Sequence, residues 1–351
     1  PKGYQISQYD MPLCVNGQWK MDNGQEIRIR RIHLEEDTGK LVHQSTNGKK
    51  VTLIDFNRSG VALLELVTEP DFREVNAVVY FLKEVQLIAR YLGISLANME
   101  KGSMRLEANV SLAKDPGIPD YKVELKNINS FKFLDKAISS EVERQIEVIK
   151  SGDKIQQETR GYDEVKGTTF SQRTKEQAQD YRYFPEPDIP PLRFSHKEIK
   201  EIGKALPELP GETRKRLVSQ YGLRADYSQI LASDRKRAEY FDRAYDLGRS
   251  QNISPMLIAD LLVNKNMDKD FPEPGSLIKK VLQISRTEYA KASEVENAAK
   301  KVVRENPKPV ADYRKGKGEV LGFLIGMVQK ELKGRGNPKV IKDLVVVELE
   351  R

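Results

Sequence analysis

Arg105-Leu106-Glu107-Ala108-Asn109-Val110-Ser111-Leu112 alternates without a break: Leu106, Ala108, Val110 and Leu112 fall on one face of a strand, and Arg105, Glu107, Asn109 and Ser111 on the other. Tyr121-Lys122-Val123-Glu124-Leu125-Lys126 repeats the pattern, with Tyr121, Val123 and Leu125 opposing Lys122, Glu124 and Lys126. Side by side, two such strands bury an apolar face and raise a ladder of mixed charge on the other. That arrangement suits an antiparallel sheet with one face in water, and equally a charged floor for a polar ligand. The period then changes. Phe131 to Ile149 is predicted as a helix, started by the Asn129-Ser130 cap and ended at Gly152. Period-2 strands that run directly into a 3.6-period helix set the class as α+β.

Upstream, Ile27 and Ile29 alternate with Arg28 and Arg30, another half-buried strand. Two apolar runs, Val51 to Phe56 and Val61 to Val67, flank Asn57-Arg58-Ser59-Gly60, which predicts two buried strands joined by a hairpin-like turn. Between Glu74 and Leu92, Val75, Val78, Val79, Leu82, Val85, Ile88 and Ala89 keep helical spacing, with Gly93 placed to end the helix. Downstream, the composition shifts at Leu206-Pro207-Glu208-Leu209-Pro210-Gly211, and the chain reads mainly as helices: Tyr240 to Leu247, Met256 to Val263 and, after a Phe271 to Gly275 loop, Leu277 to Ile284. Boundaries are expected near residues 206 and 291. Gly322 and Gly326, four apart in a short apolar helix, suggest close helix packing.

Composition narrows the function classes. The 351 residues are 38% hydrophobic and 32% charged, which suits a folded protein of more than one domain. Cys14 is the single cysteine, so neither a disulfide framework nor a cysteine-based zinc site is expected. The longest apolar run, Val320 to Val328, falls well short of the ~20 residues that cross a bilayer, so no membrane association is expected. No leader is read at the start, yet position 1 is Pro rather than Met, and a missing N-terminal segment is expected. The net charge of +7 is unevenly spread: twelve basic residues against four acidic ones between Lys300 and Lys342 give +8, leaving −1 for everything else. A segregated basic end is the footprint of a polyanion partner or, more simply, a lysine-rich solvated helix face.

The densest polar segment is Ile32-His33-Leu34-Glu35-Glu36-Asp37-Thr38-Gly39-Lys40. Successive carboxylates repel unless a cation sits among them, and Mg²⁺ commonly takes one or two protein carboxylates together with phosphates and water. His33 and Lys40 are placed to hydrogen-bond phosphate or substrate. A solvated acidic turn accounts for the same residues. Glu65, Asp71 and Glu107 are candidates to converge on the segment from neighbouring strand ends. Neither GxxxxGK[ST] nor GxGxxG occurs, so a nucleotide would be held without a P-loop or Rossmann turn. His33, His43 and His196 are the only histidines, in no hydrolase-like order.

Eight blocks, namely 4–10, 33–40, 55–60, Glu69-Pro70-Asp71, 100–105, 124–131, 157–160 and 180–188, stand in the order found in the B-subunit family of the aspartyl/glutamyl-tRNA amidotransferases. Asp312-Tyr313-Arg314-Lys315-Gly316-Lys317, the Gly322 to Gly326 stretch and Gly336-Asn337-Pro338 resemble that family's tRNA-binding tail, so the resemblance spans nearly the whole chain. It implies an ATP- and Mg²⁺-dependent cytoplasmic ligase subunit that phosphorylates the side-chain carboxylate of Glu-tRNA(Gln) or Asp-tRNA(Asn). Ammonia from a partner amidase subunit then displaces the phosphate, and a small stabilising subunit completes a heterotrimer. The implied architecture is an antiparallel-sheet cradle over 1–205, a helical domain over 206–291 and a small basic all-α tail over 292–351.

Position by position, Glu36 resembles the magnesium-ligand and channel-gate glutamate, Glu35 and Asp37 are further catalytic candidates, and Lys2 resembles a channel lysine. The metal set expected from this is Glu36, Glu65 and Glu107. His33, Lys40, Arg105, Asn109, Lys126 and Asn129 are expected to face ATP or the tRNA 3′ end, and Arg314, Lys315, Lys317, Lys333 and Arg335 the tRNA body. The chain departs from the family in lacking the Gly-Leu-Glu-Val-His strand that supplies two metal ligands, in Leu106-Glu107 where the family has Cys-Asp, and in a shorter connector over Asn266 to Ala290. A noncatalytic tRNA-binding scaffold is the alternative.

Overall fold

The computed structural model describes residues 3–21, 24–46, 48–114, 117–174, 182–285 and 290–350. The chain divides into two compact units, residues 1–215 and 216–351.

In the first unit, strands β1 (Gln5–Ile6), β2 (Cys14–Lys20), β3 (Glu26–Glu36), β4 (Lys40–Thr46), β5 (Lys49–Asp55) and β6 (Ala62–Thr68) precede helix α1 (Val75–Tyr91). Then come β7 (Leu106–Val110), β8 (Val123–Ile128), α2 (Phe131–Lys150), β9 (Glu158–Asp163), β10 (Thr168–Thr174), β11 (Tyr183–Phe184) and α3 (His196–Ala205). Three strands form an antiparallel sheet in the order β2-β3-β6, and four form a second sheet in the order β10-β9-β8-β7. Both predicted helices are present. Ser130 caps α2 by accepting from the Phe133 amide, and α1 ends at Leu92 before Gly93 (φ +69°).

β7 and β8 pair antiparallel, and Leu106, Val110 and Leu125 are buried against α2 as the alternation requires, with Val123 buried as well. The sheet is nevertheless mixed, because β8 runs parallel to β9: α2 fills the connection, and a helical crossover returns the chain in the same direction. Asn127, in a left-handed conformation (φ +62°), bulges β8 so that Ile128 turns back into the core.

The hairpin expected around Asn57 to Gly60 is corrected. β5 pairs back onto β4, and β6 pairs with β3, so the two apolar runs belong to different sheets. The β4–β5 ribbon is not buried either, since Leu41, Leu53 and Ile54 are exposed. β4 (Lys-Leu-Val-His-Gln-Ser-Thr) carries neither clean alternation nor an apolar run, so the actual partner of β5 left no mark in the sequence.

The second unit takes up the C-terminal part of α4 (Pro210–Tyr221), followed by α5 (Ala225–Leu231), α6 (Arg235–Gly248), α7 (Pro255–Lys265), α8 (Met267–Asp270) and α9 (Pro274–Ser285). α10 (Ala292–Glu305), α11 (Pro307–Arg314), α12 (Val320–Glu331) and α13 (Pro338–Glu350) complete the chain. The expected Phe271 to Gly275 loop is partly helical, because Pro274 opens α9, a position where its missing N–H costs nothing. Two hydrophobic clusters serve this unit, one spanning Leu217 to Val281 and one spanning Val295 to Leu349. Gly322 and Gly326 mark no close approach: a Cβ at either would meet nothing within 4 Å. The crowded glycine is Gly336, wedged against Ile341, Leu332 and Gln329. Among the described residues no helix is long and apolar enough to cross a membrane.

Candidate active site

β3 organises the site. Its alternation puts Arg31, His33 and Glu35 on one face and Ile32, Leu34 and Glu36 on the other, and a bulge between Ile29 and Arg31 sends Ile27 to that second face, where it packs with Leu66. Antiparallel pairing sets Glu65 of β6 directly opposite His33, so the two share a face. His33 Nε2 lies 3.3 Å from Glu65 Oε2 and 3.6 Å from Glu35 Oε2. One ligand atom from each of His33, Glu35 and Glu65 falls within 4.8 Å of the others, a group able to hold a metal ion.

His33 is fully buried, yet neither ring nitrogen has a hydrogen-bond partner, and Glu35 Oε2 also lacks one. Leaving such groups unmade costs about 1–3 kcal/mol each. Burial holds the His33 pKa below its ordinary value, which keeps an imidazole lone pair available. Burial also lifts the Glu35 carboxyl to about 7, helped by the like charges of Glu65, Asp37 and Glu107 and opposed by a hydrogen bond from Gln5. A buried acid held against other acids is a group that a cation would relieve. Two carboxylates and one imidazole, with waters completing the shell, fit Mg²⁺ by their predominance of hard oxygen donors.

The trio brought together is therefore His33, Glu35 and Glu65 rather than the expected Glu36, Glu65 and Glu107. Glu36 sits on the other face of β3, where Oε1 accepts from the Ile6 amide and its carbonyl accepts from Gln5 Nε2. Glu107, on β7, is held by Lys126 Nζ at 3.1 Å, and Lys126 also meets Glu124 at 3.3 Å. These pairs are the predicted ladder of mixed charge, with Asn109 opposite Glu124 on the same strands. Asn129 is exposed beside the α2 cap, and Lys40 is exposed at the start of β4. Lys2 lies outside the described residues, as do Asp180 and Tyr181 of one resembling block.

Asp37 is not available as a ligand. It is buried, with both carboxylate oxygens taken by guanidinium groups: Arg105 Nη2 at 2.9 and 3.1 Å, and Arg58 Nε at 2.9 Å. Arg58 has no sequence signal of its own, because Asn57-Arg58-Ser59-Gly60 reads only as a turn. The Asp55-Phe56-Asn57-Arg58-Ser59-Gly60 block of the family resemblance is the one pointer to it.

A second layer fixes the cluster from the N-terminal side. β1 pairs in parallel with β11, Ser7 bridges to Glu35, and Gln8 Oε1 accepts from the Leu34 amide. Tyr9 stacks on Tyr183 (5.1 Å) and carries the Arg31 guanidinium 4.4 Å above its ring.

In the tail, Lys315 and Lys333 are exposed, Lys317 pairs with Asp312, Arg335 lies 3.8 Å from Glu294, and Arg314 donates to the Leu349 carbonyl. The Lys333 to Gly336 turn is braced from inside by Gln329, whose amide donates to the carbonyls of Gly334 and Gly336. A cavity between α6 and α9, lined by Leu247, Ile278, Lys279 and Leu282, contains none of the candidate residues.

Comparison with known proteins places these features in a family context. Residues 1–200 match the family described as the GatB/GatE catalytic domain, and residues 250–349 the one described as the GatB domain. A Thermodesulfovibrio yellowstonii protein, named as the B subunit of an aspartyl/glutamyl-tRNA(Asn/Gln) amidotransferase, is 39% identical over 98% of this chain and 81% of its own length. Proteins of the same name from Myxococcus xanthus (39%, covering 99% of this chain and 81% of theirs) and Thermotoga petrophila (38%, 100% and 82%) are equally similar.

Proposed function

The chain belongs to the B-subunit family of the aspartyl/glutamyl-tRNA(Asn/Gln) amidotransferases, and from that membership we propose that the His33, Glu35 and Glu65 cluster is where it activates the carboxylate of a mischarged tRNA. It is a subunit of a glutamine-dependent tRNA amidotransferase, a ligase that forms carbon-nitrogen bonds. In our reading the substrate is Glu-tRNA(Gln) or Asp-tRNA(Asn), ATP phosphorylates the side-chain carboxylate, and ammonia from a partner amidase subunit displaces the phosphate. A small stabilising subunit completes the assembly in the cytoplasm. Residues 1–205 form the catalytic cradle, 206–291 a helical domain and 292–351 the basic tail that holds the tRNA.

The observation that carries this reading is the fully buried His33 ring, unpartnered at both nitrogens and facing two carboxylates. His33, Glu35 and Glu65 would hold Mg²⁺, and the ion when bound supplies positive charge for phosphate oxygens. Gln5 orients Glu35 through the hydrogen bond from its amide. Lys126, steered by Glu107 and Glu124, presents an ammonium on the charged floor beside the cluster. Arg105 adds a guanidinium to the same floor. Phosphoryl transfer is mostly positioning and charge neutralisation, which these groups are equipped to provide.

The test is amidation by the assembled enzyme. With ATP and glutamine the complex should convert Glu-tRNA(Gln) to Gln-tRNA(Gln), and Glu35→Gln or Glu36→Gln should stop conversion even when ammonia is supplied directly. Activity retained by Glu35→Gln would remove the metal assignment. Activity retained by Glu36→Gln would confine that residue to holding the β1 strand.

A further inference from the structure

We propose that Arg58 and Arg105, held together over the buried Asp37, form an oxyanion subsite that takes the phosphate chain of the nucleotide, with Asp37 as its positioning residue. The inference rests on the function proposed above and deepens it: there Arg105 is only one charge on the floor, and Arg58 and Asp37 have no part.

The first observation concerns charge. Two guanidinium groups share one carboxylate, so the trio carries a surplus of one positive charge. The Asp37 side chain is 6% exposed, while those of Arg58 and Arg105 are 38% and 57% exposed. The negative member is sealed in and the positive surplus faces outward.

The second concerns geometry. Two arginines of β3 are neutralised fork to fork: Arg28 reaches Asp71 through Nε and Nη2, and Arg30 reaches Glu69 in the same way. The arginines on Asp37 behave differently. Arg58 spends Nε on the carboxylate and Nη1 on the Gly102 carbonyl, and Arg105 spends only Nη2. Among the described residues, Nη2 of Arg58 and both Nε and Nη1 of Arg105 have no partner. Guanidinium donors left in a fixed plane are matched to the oxygens of phosphate.

The third concerns construction. Asp37 is fixed on every side: its amide donates to the Val61 carbonyl, its carbonyl accepts from Gly60, and Oδ1 accepts from the Thr38 amide. Gly60 (φ +79°) and Gly102 (φ +67°) let the two turns close around it. A Cβ at Gly102 would lie 2.6 Å from Arg58 Nη1, so the guanidinium rests close against the backbone there. Three distant segments converge to hold two like charges together, an arrangement that costs stability and that a bound anion would repay. Asp37 follows Glu35 by two residues, about 7 Å along the chain at strand rise, and its charge is felt at Glu35. An anion on the pair would therefore border the carboxylate cluster, where a phosphate chain has to lie to meet both arginine and metal.

The experiment uses the assembled amidotransferase. Arg58→Ala should raise the KM for ATP roughly ten- to hundredfold, the scale for losing a charge-assisted hydrogen bond, with kcat far less affected and the KM for mischarged tRNA unchanged. Arg58→Lys, which keeps the charge and loses the fork, should fall between. A raised KM for the mischarged tRNA with an unaltered KM for ATP would overturn the proposal in favour of the aminoacyl carboxylate as occupant. Unaltered constants for both would reduce the trio to a structural ion pair.

Should the variants fail to assemble, the unmodified complex still decides the matter. Phenylglyoxal modification of Arg58 and Arg105, read by peptide mass spectrometry, should be slowed by ATP or inorganic tripolyphosphate and not by glutamate; equal labelling with and without triphosphate overturns the proposal. A wild-type complex with no ATP-dependent amidation would instead sink the function proposed above, whatever these arginines do.

Discussion

The carboxylate face of β3 and the basic tail use charge in opposite ways. On β3 a few groups are buried and crowded, so each is held away from its ordinary state: His33 has no hydrogen-bond partner and Glu35 is lifted to about 7. In the tail, many groups are exposed, and those that pair do so loosely at the surface, as Lys317 with Asp312 and Arg335 with Glu294. Desolvation makes each group on β3 count for kilocalories and resist salt. Exposure makes each group in the tail worth little and leaves the effect to their sum. The first arrangement suits chemistry at one point, the second a grip on an extended polyanion.

The comparison breaks most readily at Glu35. Glu35→Gln should lower amidation about a thousandfold, the upper scale for removing one preorganised charge-stabilising group, measured with saturating ATP and added ammonia. The same substitution should stabilise the metal-free protein. Because the folded pKa of Glu35 stands above its unfolded value of 4.5, the folded state keeps a proton that the unfolded state releases. Stability should therefore fall as pH rises from about 4.5 to about 7, by roughly 3 kcal/mol in full. Thermal melting in EDTA should show the decline in the wild type and not in Glu35→Gln. Mg²⁺ should raise the melting temperature more at pH 8 than at pH 5, and equal shifts would count against the cluster as its site.

Smaller effects are expected from the tail. Replacing Lys315, Lys317, Lys333 and Arg335 together by Ala should weaken tRNA binding and cut the slope of log K against log salt by about three, while each single change stays within roughly tenfold. An unchanged slope would move the tRNA contact elsewhere. The smallest effect should come from Gly322→Ala and Gly326→Ala: both positions are helical with open space around them, so each change should add about 0.5–1 kcal/mol to stability, read by urea melts.

Much of this organisation is legible in the sequence where one pattern dominates. α1 and α2 stand out by spacing, and β3, β7 and β8 by alternation, because one face of each meets a core. Of the β4–β5 ribbon only β5 is legible as a strand; both faces of the ribbon are exposed, and no burial disciplines the sequence of β4 or reveals the pairing. In the acidic segment the carboxylates are obvious and their facing is not: family resemblance favours Glu36, whereas strict alternation from His33 selects Glu35. Arg58 is hidden because its partner is 21 positions away and its turn lacks periodicity. Side chains gathered by tertiary contact leave no local mark.

The parallel pairing of β1 with β11 has a consequence for biosynthesis. Gln5, which orients Glu35, sits on a two-residue strand whose partner is Tyr183–Phe184. A nascent chain that has emerged only as far as β10 can form β3, β6 and their carboxylates and dock β1 on β3 through Ser7 and Gln8, but the other edge of β1 still lacks β11. The cluster should thus reach its final geometry only after residue 184 has left the ribosome, with the N-terminal strand waiting for most of the unit to be made. The closure of the longest loop in that unit would then be the last step in switching the site on.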